Sequence, residues 1–284
     1  MIDSMKSGAP LETPVLFLIF KRPDVTQCVF DEIRKVRPRQ LFVCADGPRA
    51  NKPGEAELCA QARAIIDQVD WDCQVHKKFS DANLGCRVSV STGIGWFFDN
   101  VESGIILEDD CLPAQSFFWF CQELLARYKD DARVMQISGA NYFPDKKFGD
   151  ATYFFAKLND ISGWATWRRA WSKQKEVVLN KVDGSMEKAV LDYFGDKAMA
   201  RWFISYLFEA ANPVKCGVWS TLWSYAICIH GGLVASPNQT LTTHIGFNKD
   251  GENMHDGMLL YPHVERVELT ELRHPEKIIQ SREA

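Results

Sequence analysis

The sequence predicts an α/β fold: a mostly parallel central sheet flanked by helices, with a smaller mixed lobe behind it. Three observations carry this. Short, continuous apolar runs at 15–20, 41–45 and 104–107 are each bounded by proline, glycine or charge, the look of strands covered on both faces. Helical apolar spacing follows each run, so strand and helix alternate four times within about 130 residues. Beyond residue 132 the alternation fades into shorter, aromatic-rich segments. The chain therefore reads as a first half, 1–132, and a second half, 133–284, sharing one continuous core.

Taken in order, residues 1–13 read as a flexible lead-in. Residues 15–20 form a first strand, and Pro23 and Asp24 open a helix with the apolar stripe Val25, Cys28, Val29, Ile33 and Val36. The second strand, 41–45, stops at the turn signal Asp46-Gly47-Pro48. A helix over 55–69 and a third strand at 73–76 follow. Asn83-Leu84-Gly85 breaks the chain before a helix over 88–98, and the fourth strand, 104–107, runs into Glu108-Asp109-Asp110. The next helix has Phe117, Cys121, Leu124 and Tyr128 on one face. In the second half we expect strands at 134–137 and 153–155, a Trp-rich helix at 164–171 and an aromatic helix at 200–208.

Composition excludes several classes. With 33 Lys+Arg against 37 Asp+Glu there is no basic surplus of the kind nucleic-acid binders show. Aromatic residues at 12% argue against disorder. The nine cysteines lack zinc spacings and sit mostly among apolar neighbours. An odd number, with no secretory signal in view, leads us to expect free thiols and a cytoplasmic location. No apolar run approaches the ~18–20 residues that span a bilayer, so at most a membrane-peripheral protein is expected.

In open α/β sheets, ligands bind beyond the carboxyl ends of the strands. Three such ends are polar here: Lys21-Arg22, Asp46-Gly47 and Glu108-Asp109-Asp110. The three consecutive acids repel one another, and a divalent cation would relieve that; hard carboxylate oxygens suit Mg²⁺ or Mn²⁺, which complete their shells with substrate phosphates. A solvated acidic turn is the plain alternative. Neither a G-x-x-x-x-G-K-[ST] loop nor a G-x-G-x-x-G follows the first strand, so a nucleotide would be held by something other than a glycine-rich loop. Gly93-Ile94-Gly95 lies within a helical segment, where packing explains it better. A sugar nucleotidyltransferase would want glycines after the first strand, and Lys21-Arg22-Pro23 supplies none.

These residues resemble a known family. Phe20-Lys21-Arg22-Pro23, Ala45-Asp46-Gly47, Asn83-Leu84-Gly85-Cys86-Arg87 and Ile105-Ile106-Leu107-Glu108-Asp109-Asp110-Cys111, in this order, look like the nucleotide-sugar-binding half of a GT-A glycosyltransferase. The last piece is similar to the Glu-Asp-Asp form of the DXD motif of N-acetylglucosaminyltransferase I and its bacterial relatives. The likeness continues through residues 162–171 and 219–255. It implies a transferase that moves a sugar from a nucleoside-diphosphate donor, UDP-linked, to a glycan or lipid-linked acceptor in polysaccharide biosynthesis, with inversion and with Mn²⁺ or Mg²⁺. Asp110 would then be the direct metal ligand. Glu108 and Asp109 would contact the donor's ribose or sugar, Asp46 the base, Arg22 and Arg87 would lie near base or diphosphate, and Asn83 would be a further donor-binding residue. A late histidine, His255, would complete the metal shell or touch the diphosphate. The bland readings remain: Arg22 and Arg87 as surface charges, Asp46 as a turn residue, His255 as a loop residue.

The pattern departs at one point. Such an enzyme needs a base for the acceptor hydroxyl, and the family often has an acid directly after the first Trp of a segment like Trp219-Ser220-Thr221-Leu222-Trp223. Here that position is Ser220. Asp160 is our candidate base, with Glu209 an alternative; otherwise the chain is a weak or inactive sugar-nucleotide-binding relative. His244 reads as a strand residue rather than a ligand. Trp164, Trp167 and Trp171 read as one helix face forming a core stripe, and the flanking Arg168, Arg169, Lys173 and Lys175 as a solvated face or a contact for an anionic lipid-linked acceptor.

Overall fold

In a computed structural model, which describes residues 8–141, 143, 146–176, 184–211, 219–246 and 264–281, the apolar run after Pro14 is β1 (Val15–Ile19), buried throughout. Its side chains alternate between two cores. Val15, Phe17 and Ile19 enter one, Leu16 and Leu18 the other, so both faces are covered. Pro23 begins α1 (Pro23–Val36), which leads to β2 (Gln40–Ala45); α2 (Glu55–Ala64) and a 3-10 turn, Ile65–Gln68, lead to β3 (Gln74–Phe79). Then α3 (Cys86–Asn100), β4 (Ser103–Glu108), a short β5 (Cys111–Pro113) and α4 (Gln115–Arg127) complete the first half. The second half holds β6 (Val134–Ser138), β7 (Tyr153–Ala156), β8 (Trp164–Trp167), α5 (Arg168–Trp171), α6 (Gly184–Phe194), α7 (Lys197–Ala211), α8 (Ser220–Ile229), β9 (Leu233–Pro237) and β10 (Thr242–His244).

The α/β expectation holds. An eight-stranded sheet has the order β3-β2-β1-β4-β8-β6-β9-β7, and β10 pairs with β5 in a separate antiparallel ribbon. Strands β3, β2, β1 and β4 are parallel, β8 opposes both β4 and β6, and β9 runs with β6 while β7 opposes it. Six strands thus share one direction and present their carboxyl ends along one edge. Strands from both halves share the sheet, joined where Ile106 of β4 pairs with Trp164 of β8. No helix among the described residues is long and apolar enough to cross a membrane.

Several expectations need correction. The lead-in is anchored from Leu11 on: that side chain is fully buried, its N–H donates to Val36 and its carbonyl accepts from Arg39. Cys28 is exposed, and Phe30 and Thr26 are buried with the rest of the α1 stripe. The Trp-rich segment is not one helix. Residues 164–167 form a buried strand between β4 and β6, because the hydrogen-bonding gap between those strands outweighs helical spacing. Trp164 and Trp167, an odd number of residues apart on a strand, therefore enter opposite cores. Trp164, Trp171, Trp219 and Trp223 do cluster, with ring centroids 5.3–6.3 Å apart across the pairs in contact. Gly93 is a packing glycine as expected: a Cβ there would come 2.8 Å from Cys44 Sγ.

Candidate active site at the carboxyl edge of the sheet

The parallel order β2-β1-β4 brings three polar strand ends side by side: Phe20-Lys21-Arg22 after β1, Asp46-Gly47 after β2 and Glu108-Asp109-Asp110 at the end of β4. Asp109 and Asp110 are buried and Glu108 is half-buried. Arg22 is the residue before α1, its carbonyl holding the Thr26 N–H and hydroxyl, so its side chain starts from a fixed point. A single nitrogen, Nη2, bonds both Asp109 Oδ1 and, at 2.8 Å, Asp110 Oδ2. Asp109 Oδ2 is buried with no hydrogen-bond partner among the described residues.

The electrostatics follow from this crowding. Burial, then the charges of Asp110 and Asp109, push the Glu108 carboxyl well above the usual range, with Asp160 adding a little more. Burial also raises Asp109, despite the opposing pull of Arg22. Glu108 thus feels three other carboxylates and, against them, the Arg22 guanidinium.

Topology delivers Asp160. Strand β8 opposes β4, so the residues preceding Trp164 lie beyond Ile106, beside the acidic end. Asp160 is half-buried, and its Oδ1 accepts the Ser162 N–H at 2.8 Å. Its main chain is pinned by β6: the carbonyl accepts from Gln136 Nε2 at 2.5 Å and from Ser138 Oγ at 2.9 Å. Gln136 in turn accepts from the Trp223 indole at 2.6 Å.

The Asp46 carboxylate, which the resemblance assigns to the base, is bonded to its own neighbouring loops. Its Oδ1 accepts the N–H groups of Gly47 (2.8 Å) and Leu84 (2.9 Å), and its Oδ2 accepts from Gly85 N (3.0 Å) and Asn83 Nδ2 (3.1 Å). Four donors fill the acceptor positions of a carboxylate. Asp46 therefore organises the 83–85 loop, and Asn83 is part of that clasp, also bonding the Gly47 carbonyl. Gly47 must be glycine, since a Cβ would lie 2.4 Å from the Ala82 carbonyl carbon. Arg87 is exposed at the start of α3.

His244 and Gly246 reach the site without having been assigned to it. Strand β10 sets His244 opposite Cys111, so Nε2 lies 3.4 Å from Asp110 Oδ2, while Nδ1 accepts the Gly246 N–H at 3.2 Å. The His244 ring thus stands beside Asp110, held from its other side by the Gly246 N–H. A Cβ on Gly246 would come 2.3 Å from Asp110 Oδ2 and 2.8 Å from Arg22 Nη1. Only a pairing between residues about 130 apart in sequence creates this contact, and local pattern carries no sign of it. Ser220 is buried at the start of α8, its carbonyl taking the Ser224 hydroxyl. His255 and the Glu209 side chain lie outside the described residues.

No family model and no curated protein matches the chain. Among solved structures it is similar to 4-diphosphocytidyl-2C-methyl-D-erythritol synthase from Anaerococcus prevotii DSM 20548, at 8% identity and TM-score 0.34, over 65% of this chain and 85% of that one. It is similar also to UDP-glucose pyrophosphorylase complexed with UDP-glucose, at 10% identity and TM-score 0.34, over 58% and 80% of the two chains. Inositol-1-phosphate CTP transferase from T. maritima gives 8% identity and TM-score 0.34, over 62% and 78%. At these values the likeness carries no statement about chemistry.

Proposed function

We propose that the protein is a cation-dependent glycosyltransferase that takes a sugar from a nucleoside diphosphate, UDP-linked, and passes it to a glycan or lipid-linked hydroxyl. The observation that carries this reading is the Glu108-Asp109-Asp110 end of β4, with Asp109 and Asp110 buried, set between the β1 end with Arg22 and the pinned Asp160. The residues fit a hard divalent cation such as Mn²⁺ or Mg²⁺. The donors are carboxylate oxygens, one of them buried without a partner, and the cluster is short of positive charge. No three His, Cys, Asp or Glu side chains among the described residues converge as a metal centre, so a cation here would need phosphate oxygens to complete its shell.

In this reading Asp110 Oδ2 would hold the cation, with Asp109 beside it, and His244 would orient Asp110 from behind. Bound there, the cation would supply Lewis-acid stabilisation of the charge that grows on the departing diphosphate. Asp160 accepts the proton of the acceptor hydroxyl. That oxygen then bonds to the anomeric carbon while the carbon–phosphate-oxygen bond breaks and its electron pair leaves with the diphosphate. Glu108 faces the donor sugar or ribose, and Arg22 and Arg87 supply positive charge for the phosphates. A second reading rests on Ser220, which stands where related enzymes hold an acid: a protein that binds the sugar nucleotide without turning it over.

The test is UDP-sugar hydrolysis and transfer with and without Mn²⁺, in wild type and Asp110→Asn. We expect a Mn²⁺-dependent activity that falls at least about 100-fold in the variant. Unchanged donor binding and metal dependence in Asp110→Asn would show the site to be misassigned. Tight UDP binding by wild type with no turnover on any acceptor would favour the second reading.

A further inference from the structure

We infer that Arg22 is a displaceable counter-ion, pairing with Asp109 and Asp110 where a cation would bind and making cation binding conditional on the donor's diphosphate. This rests on the proposed function and adds an order to it.

The geometry points this way on four counts. One nitrogen, Arg22 Nη2, touches both Asp109 and Asp110, which is the bridging place a cation shared by two carboxylates would take. The Asp110 oxygen it bonds, Oδ2, is also the one facing His244 at 3.4 Å, so the oxygen best placed to bind metal already has a neighbour on each of two sides. The guanidinium lies against the bare Cα of Gly246, where a Cβ would strike both Arg22 and Asp110. Its main chain is fixed at the head of α1, while its side chain keeps 16% exposure and is not sealed in.

A cation arriving alone must break this ion pair and leave the guanidinium without an equivalent partner, which is costly for a partly buried charge. A cation arriving with a diphosphate brings that partner with it. Arg22 can then exchange carboxylate for phosphate, a bidentate contact for which a guanidinium is well shaped. Asp109 Oδ2, orphaned with Arg22 in place, gains a ligand at the same moment. Arg22 thus serves twice, as a plug before binding and as a phosphate clamp after it.

Titrating Mn²⁺ into the whole protein, with free Mn²⁺ followed by electron paramagnetic resonance, tests this without any turnover. Wild type should bind Mn²⁺ at least about tenfold more tightly with saturating UDP than without it. Arg22→Met should bind Mn²⁺ at least about tenfold more tightly than wild type when UDP is absent, and its coupling to UDP should shrink; Arg22→Lys should fall between. Mn²⁺ affinity in Arg22→Met equal to or below that of wild type would overturn the proposal. Should the Met variant fail to fold, Arg22→Lys and the wild-type coupling decide, and equal Mn²⁺ affinity with and without UDP overturns it. Failure of UDP to bind wild type at any Mn²⁺ concentration sinks the donor reading instead, leaving the nucleotide-free comparison to judge Arg22 by itself.

Discussion

The Asp46 carboxylate ties three backbone N–H groups and one amide into a clasp between the ends of β2 and β3. Replacing it with Asn turns one acceptor oxygen into an NH₂ facing donors it cannot satisfy. Asp46→Asn should therefore cost about 2 kcal/mol, the range for leaving a buried group unpaired beside a lost charge-assisted bond, measured as a shift in urea midpoint. A cost within a few tenths would mean that the clasp contributes little. At this scale the strand-end residues were readable, because buried apolar runs ending in polar residues mark the edge where ligands bind. The partners that fill their bonds were not. That Asp46 spends its acceptors on Leu84 and Gly85, and that His244 backs Asp110, depends on how distant loops meet.

The loop before α2 is tied down by the helix's first residue. Glu55 is buried and accepts from Arg49 and, at 3.4 Å, from Lys21, the two cations also lying over the Phe20 ring. Arg49's hydrogen bonds hold the Glu55 carboxyl at about 2, against an ordinary value of 4.5. A carboxylate depressed in the folded state contributes stability above its unfolded value and loses it as pH falls through the folded one. The gap in urea midpoint between wild type and Glu55→Gln should therefore be full near pH 6 and narrow between about 4.5 and 2. A gap of equal size at pH 6 and about pH 3 would mean that another bond holds the loop. Elements whose local pattern agrees with their burial, such as β1, β2 and α4, were legible in the sequence. Residues 164–167 were not, since Trp spacing of three and four suits a helix until β4 and β6 leave a strand-wide gap between them.

Across the whole molecule, the sheet runs through the change in composition near residue 132, with no break in its hydrogen bonding among the described residues. Strand β8 closes the sheet between β4 and β6, and each of the two cores draws side chains from both halves: Phe17 with Phe155 and Trp167 in one, Leu18 with Trp164 and Val234 in the other. Neither half can open without exposing apolar surface of the other, so the two should unfold together although the chain is long enough for intermediates. The cysteines can report this. Cys44 and Cys121 lie in the first half and Cys228 in the second, all three buried, and burial pushes Cys44 up to about 11 and Cys228 up to about 12, with Cys121 well above its ordinary value. Thiols so placed are inert while folded and reactive once exposed, whereas the exposed Cys28 should react throughout and serve as a control. Pulsed alkylation across a urea series, read by mass spectrometry, should give Cys44, Cys121 and Cys228 one shared midpoint. Reaction of Cys228 at clearly lower urea than Cys44 and Cys121 would mean that the second half opens alone, and that the β4–β8 seam is the weak line of the sheet rather than its bond.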